Sequence, residues 1–251
     1  MILRLKPVAT VVNKLAMESK NVEEKPFFSL PREIRDQIYK LCLLSSETLQ
    51  PLYAWSRMNK GFAIKLLRTS KTVHAEACSV FYGQNRFDFS DSFYFINVMD
   101  FTNFALAKEV GSFLEKIGSS AEYLGNAVIA FPQYARIELG NTALAPQNMA
   151  IIASLRRRCP NLRNLLTDLA STFINLEHQL LGRERPLRHE ALALVDAHFR
   201  SIPSLQHIIV QVHEVHLSDD KFREDIERLG WTLSAEEIRE RTKKNITMRI
   251  Y

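Results

Sequence analysis

A pattern that occurs twice in the C-terminal half of the sequence constrains the fold most. Each copy has a helix-forming stretch that ends in arginine, a short turn with proline, a leucine and an apolar strand, at residues 148–166 and 187–212. In such a unit each strand needs a neighbour to bury its face. The pattern is that of an irregular leucine-rich, solenoid-like unit, although two copies are fewer than an array needs, and a compact α/β sheet with covering helices fits nearly as well. The pattern leaves these two alternatives open.

The composition is that of a globular protein. Of 251 residues, 46% are hydrophobic and 24% are charged, which excludes wholesale disorder and fibrous classes. The net charge of +5 falls short of the one-sided excess that is typical of a nucleic-acid binder. The sharpest basic cluster is Arg156, Arg157, Arg158 and Arg163, and we interpret it as cations that complement a helix C-terminus. The sequence therefore gives no strong nucleic-acid signal.

No motif in the sequence predicts a reaction. The glycines do not form a phosphate-binding loop, and no serine or cysteine stands in a nucleophile motif. His213 and His216 would point to opposite faces of a strand, so they could not share a metal ion there. The sequence thus predicts a protein that is not an enzyme, with no cofactor and no metal. A hydrolase-like enzyme is a lesser alternative, which would need a histidine and a carboxylate from residues 189–220 beside a nucleophile.

Three cysteines, Cys42, Cys78 and Cys159, lie far apart in apolar or helical settings. We interpret them as reduced residues of an intracellular protein, either cytoplasmic or nuclear. No apolar run approaches the roughly 20 residues that span a bilayer, so we expect no membrane association. Residues 1–26 are predicted to be a flexible tail, and their basic character makes a mitochondrial presequence a minor alternative.

A first helix is predicted after Phe27. Ser29 is the expected N-cap and Pro31 occupies the first turn. At helical spacing, one apolar stripe then contains Ile34, Ile38, Leu41 and Cys42.

A second helix is predicted from about Ala63, or from Ser70, to a C-terminal stop at Gly83, followed by a short strand at residues 85–89. Phenylalanine is dense from Phe81 to Phe104, and we interpret this stretch as a packing seam.

The rest of the chain is predicted to alternate helices and short strands. The last elements expected are a helix from about Asp219, a charged helix at residues 236–244 and a closing strand at 246–250. The predicted fold class is mixed α/β, or α+β. Its domains are the tail at 1–26, a helical domain at 27–89 and an α/β body at 90–251 that serves interaction.

Two segments of the first third resemble a known family. They are Phe27-Phe-Ser-Leu-Pro-Arg-Glu-Ile-Arg-Asp-Gln-Ile-Tyr39 with Leu41, and residues 66–77 with 80–87. Together they are similar to the large fungal family of F-box-like proteins. That family has a Leu-Pro-x-Glu-Ile-Arg helix and a later Ser-Lys-x-Val-His-x-Glu-Ala helix that ends in Phe-Tyr-Gly-x-Asn. The resemblance covers about 60 residues in this paired form; the body beyond Phe89 resembles no sequence.

The resemblance implies an adaptor of a cullin–RING ubiquitin ligase. Its partners would be a Skp-type subunit and an unknown protein substrate held by the body. The helix-in-groove mode needs an exposed apolar stripe. The residues expected to bind the Skp-type subunit are Leu30, Pro31, Ile34, Ile38 and Leu41. The alternative is a self-contained scaffold, in which these side chains pack inside the domain against Leu67, Val73, Ala77 and Phe81. Spacing alone does not separate the two.

Overall fold

A computed structural model describes residues 26–52, 64–90, 102–169, 180, 183–213 and 220–236. Its α-helices in these ranges are α1 Arg32–Leu43, α2 Lys71–Gln84, α3 Thr102–Lys116, α4 Pro146–Arg158, α5 Arg185–Arg200 and α6 Asp220–Arg228. Its strands in these ranges are β1 Arg86–Asp88, β2 Asn126–Ala130, β3 Tyr134–Arg136, β4 Ala143–Leu144, β5 Asn164–Asp168, β6 His207–His213 and β7 Thr232–Glu236. The predicted mixed α and β fold class is confirmed.

The chain divides into two compact units, Met1–Ile38 and Tyr39–Tyr251. The division falls inside α1, which is itself a continuous helix. The domain boundaries predicted after residues 26 and 89 stay a prediction.

The larger unit contains a five-stranded parallel sheet whose strands follow one another in chain order, β1-β2-β5-β6-β7. The strands are in register, so Phe87, Ala127, Leu165 and Ile208 are consecutive neighbours across four of them. Leu49 forms a further parallel bridge to Phe87. We call this parallel series the array and each of its members a rung; Leu49 is the first rung and the five strands are the others. Strands β3 and β4 form a separate antiparallel hairpin between β2 and α4.

This strand order determines where the helices lie. Parallel strands that follow each other in one direction are joined by right-handed crossovers, so the connecting helices pack on one face of the sheet. The side chains that point to that face are buried, as Ile129, Leu165 and Val210 show. Helix α2 joins the Leu49 rung to β1, and it therefore has the same place in the array as α3, α4 and α5.

The two proline turns that defined the sequence pattern enter their strands in the same way. The backbone N–H groups of Arg163 and Asn164 both donate to the Gly125 carbonyl. One rung later, Gln206 and His207 both donate to the carbonyl of Arg163. Each turn is thus hydrogen-bonded to the residue that directly precedes the neighbouring strand. This shared bonding explains why the pattern recurs.

The structure corrects two element boundaries. Helix α2 continues through Gly83 to Gln84, because the Asn85 side chain donates to the Phe81 carbonyl and caps the last turn. Residues 232–236 form β7, although a charged helix was predicted to begin at Glu236. The remainder of that helix and the closing strand at 246–250 lie outside the described residues.

The predicted aromatic seam contains a cluster of packed rings. Phe81 and Tyr82 both contact Phe87, and Phe113 of α3 contacts Phe87 and Phe89. Residues 91–101, which belong to the predicted seam, lie outside the described residues. Among the helices of the described ranges, none is both long and apolar enough to cross a membrane.

Candidate interaction surface on the first helix

Helix α1 begins differently from the prediction. Ser29 belongs to a 3-10 turn at Phe27–Ser29, where its hydroxyl donates to the Pro26 carbonyl at 2.8 Å, so it does not cap the helix. The Pro31 carbonyl instead accepts the first backbone bonds of the helix. The Arg35 guanidinium closes the turn, because Nη1 donates to the Leu30 carbonyl at 2.6 Å and the group lies 5.7 Å from the Phe28 ring centre.

One face of α1 is buried. Tyr39 and Leu43, four residues apart, have no exposed surface. The Tyr39 hydroxyl donates to Glu76 Oε2 of α2 at 3.0 Å, and the Asn85 side chain donates to the Leu43 carbonyl at 2.8 Å. These two bonds determine which side of the helix faces α2.

The predicted stripe lies on the other side of α1. At about 100° per residue, Ile34, Ile38 and Leu41 are centred about 150° from Tyr39 and Leu43. Ile34 is 48% exposed and Leu41 is 86% exposed, whereas Ile38 is half-buried. We call these three residues the outer stripe.

The other predicted contact residues also keep accessible surface: Leu30 is half-buried and Pro31 is exposed. By contrast, the side chains against which the scaffold alternative would pack the stripe, Leu67, Val73, Ala77 and Phe81, are buried.

The polar residues of the family-like motifs make bonds inside the larger unit. Asn85 is 2% exposed; besides its two donor bonds, its Oδ1 accepts from the Ser45 backbone N–H at 2.8 Å. The His74 ring bonds through Nδ1 to the Leu67 carbonyl at 2.8 Å and ties the 3-10 helix Ile64–Arg68 to α2. The motifs therefore hold the end of α1 against α2. Spacing in the sequence carried no signal for the role of Asn85.

A cysteine and a histidine lie close together on α2. Cys78 Sγ lies 3.5 Å from His74 Nε2 and 3.5 Å from Ser120 Oγ. Burial raises the pKa of the Cys78 thiol, against a smaller lowering by the Ser120 hydrogen bond, and this favours the thiol over the thiolate. The same effect raises the pKa of Cys159 to about 12. All three cysteines are free, as predicted.

A buried charge cluster joins α5 and α6. Asp225 accepts from Arg188 Nε at 2.6 Å and lies 2.5 Å from His189 Nε2. Both Arg188 and Asp225 are almost fully buried. Sequence reasoning missed Asp225; the available signal was Arg188, a charged residue on the apolar face of α5. Within the described residues, the side chains that contact Asp225 are those of Arg185, Arg188 and His189, and none of them is a serine or cysteine nucleophile.

The predicted histidine pair is only partly within the described residues. His213 ends β6, and His216 lies outside the described ranges. Among the described residues, no three histidine, cysteine or acidic side chains are grouped so that they could hold a metal ion.

Comparisons with protein-family models, with curated proteins and with solved structures found no match to this chain. The resemblance to F-box-like proteins therefore still depends on the two motif segments alone.

Proposed function

We propose that the chain is a non-enzymatic F-box-like interaction module. The outer stripe of α1 docks on a Skp-type subunit of a cullin–RING ubiquitin ligase, and the body binds a protein substrate. The motif resemblance supports the choice of partner, since its Leu-Pro helix is the element that carries the stripe.

The observation that carries the proposal is the two-sidedness of α1. The buried side chains Tyr39 and Leu43 account for the packing of the helix, whereas the outer stripe keeps accessible apolar surface. An apolar row on a helix surface favours a partner that covers it. Besides Ile34 and Leu41, the exposed large apolar side chains of the described residues are Phe28, Tyr123 and Leu139, and Phe28 precedes the same helix. A self-contained scaffold would need the stripe to be buried.

The test is co-expression with a Skp-type subunit, followed by size-exclusion chromatography. We expect the wild-type chain to co-elute with the subunit. Ile34→Asp and Leu41→Asp should each weaken the complex at least about tenfold, since a buried unpaired carboxylate disfavours an apolar contact. Both positions are exposed in the free chain, so folding should change by less than about 0.5 kcal/mol.

Ala75→Asp is the matched control, because it also places an acid on an exposed apolar position, in α2. We expect its complex to be unchanged. The proposal fails if the wild-type chain does not co-elute, or if both stripe variants bind as well as the control.

A further inference from the structure

Basic side chains are concentrated at the edge of the sheet where the strands begin. The connecting helices run antiparallel to the strands, so they end at this edge. Their last turns carry Lys116 in α3 and Arg156, Arg157 and Arg158 in α4.

Three contacts bring these helix ends into one surface. Arg158 Nη2 donates to Glu115 Oε1 at 3.1 Å and joins the end of α4 to the end of α3. Asn161, in the turn before β5, donates to the Glu122 carbonyl at 2.8 Å. Two residues later, the Arg163 backbone N–H donates to the Gly125 carbonyl at 3.0 Å. The ends of α3 and α4 and the turn before β5 are therefore neighbours.

Most of the cations on this surface are not neutralised. Arg158 is paired with Glu115, but Lys116, Arg156, Arg157 and Arg163 are exposed, and no carboxylate of the described residues is placed within 4.0 Å of them. We call these four residues the basic edge. Arg200, at the end of α5, differs from these four residues because it pairs with Asp196.

The helix dipole accounts for only part of the basic edge. A helix C-terminus favours a cation in its last turn. Arg158 already provides one for α4, and Arg163 is not on a helix at all. The remaining positive charge is available to a ligand.

We propose that the basic edge binds an acidic segment of a partner polypeptide, an inference that rests on the proposed role as an interaction module. The Glu115 carboxylate pairs with Arg158 on this surface, and Glu122 is exposed next to the turn that Asn161 contacts. Negative charges at these positions would repel the evenly charged backbone of a nucleic acid. Single-strand binding also uses several aromatic platforms. Among the described residues of this surface, Tyr123 is the exposed aromatic. A peptide with spaced acidic side chains fits the mixed pattern better.

The experiment measures binding of a fluorescein-labelled ten-residue polyglutamate to the full chain by fluorescence anisotropy. We expect saturable binding at 50 mM NaCl that weakens about tenfold at 200 mM, because screening reduces attraction between exposed charges. The triple variant R156E/R157E/R163E should lose at least about twentyfold in affinity. The matched control K65E/R68E/K71E changes the net charge by the same amount, at exposed cations near the start of α2. Its affinity for the peptide should stay within about threefold of the wild-type affinity.

Circular dichroism and a thermal melt check that both triple variants fold. The inference is overturned if wild type shows no binding at 50 mM NaCl, if both triple variants lose affinity equally, or if a 15-nucleotide single-stranded DNA binds more tightly than the peptide. Ile34→Asp should bind the peptide as wild type does. If the wild-type chain binds the peptide but does not co-elute with a Skp-type subunit, the docking role alone is refuted.

Discussion

Thr167 carries a buried hydroxyl that has no hydrogen-bond partner among the residues that the structure describes. Its neighbours in register on β2 and β6 are Ile129 and Val210, so the hydroxyl lies on the apolar, helix-covered face. An unpaired buried polar group costs about 1–3 kcal/mol, and valine has nearly the same shape as threonine. We expect Thr167→Val to raise the free energy of unfolding by about 1 kcal/mol, measured by urea denaturation.

The higher strand propensity of valine is controlled by Thr232→Val on β7, where threonine is exposed. That variant should change stability by less than about 0.5 kcal/mol. A loss of stability in Thr167→Val would mean that the hydroxyl is paired in solution, contrary to the structure.

Asp225 makes stability depend on pH. Burial tends to raise the pKa of its carboxyl group, but the hydrogen bonds and charges of His189 and Arg188 together outweigh burial and lower it below the ordinary 3.8. The folded state therefore binds this proton less readily than the unfolded state does. The stability that the carboxylate contributes is fully present well above pH 3.8, and it is lost as the pH falls through the lower folded-state pKa.

We expect Asp225→Asn to lower the free energy of unfolding by about 3 kcal/mol at pH 7, because it leaves the Arg188 guanidinium buried without its counter-charge. The difference from wild type should shrink as the pH falls below about 3.8, because there the unfolded wild-type chain binds the proton more readily than the folded chain does. Urea denaturation across pH 3–7 measures this, with the exposed Asp220→Asn as control. A difference that stays constant down to pH 3 would contradict the assigned role.

At the scale of elements, the array needs close backbone contact where β2 begins. A Cβ atom added to Gly125 would lie 2.7 Å from the Gly83 carbonyl oxygen of α2, and backbone cannot give way as a side chain can. We expect Gly125→Ala to destabilise the fold by more than about 2 kcal/mol. Gly111→Ala, in open space inside α3, should stabilise it by up to about 1 kcal/mol, since alanine is the better helix former. Thermal unfolding of the two variants checks the opposite signs, and equal signs would refute the contact.

The elements that the sequence predicted well are those with strong local signals. Helices α4 and α5 and strands β5 and β6 have clear periodicity and proline turns, so their order could be predicted. Strand β7 could not, because Thr-Leu-Ser-Ala-Glu is polar and becomes a strand by pairing with β6. The Asp225 cluster could not be predicted either, because the partners of Asp225 on α5 are 36 and 37 residues away in the sequence.

The orientation of α1 shows the same limit at the candidate site. The helix has two apolar faces. Spacing identifies the outer stripe, whereas the pair Tyr39 and Leu43 is recognised only from its burial in the structure. Which face is buried depends on long-range partners, namely Glu76 for Tyr39 and Asn85 for the Leu43 carbonyl. The residues of the stripe could therefore be named from the sequence, but their exposure could not.

At the scale of the whole molecule, the chain-ordered sheet implies that the free energy of unfolding differs from one end of the sheet to the other. Each strand pairs only with its neighbours in the order, so the larger unit approaches a one-dimensional array, in which one end can open while the other stays folded. The two ends have separate aromatic anchors. Trp231, 3% exposed, packs on Phe199 and donates to Asp196 at one end. Phe113 packs on Phe87 and Phe89 at the other.

We expect Trp231→Ala to increase backbone hydrogen exchange in α6 and β7 while β1 and β2 keep their protection, because the lost contacts, worth about 3–5 kcal/mol, belong to the last rung. Phe113→Ala should do the reverse, with faster exchange in β1, β2 and α3 and little change in β7. Hydrogen–deuterium exchange with mass spectrometry on the two variants measures both ends in parallel. If each variant speeds exchange equally in all strands, the sheet unfolds as one cooperative block. The chain-ordered topology would then not make the rungs energetically independent, whatever their order in the sheet.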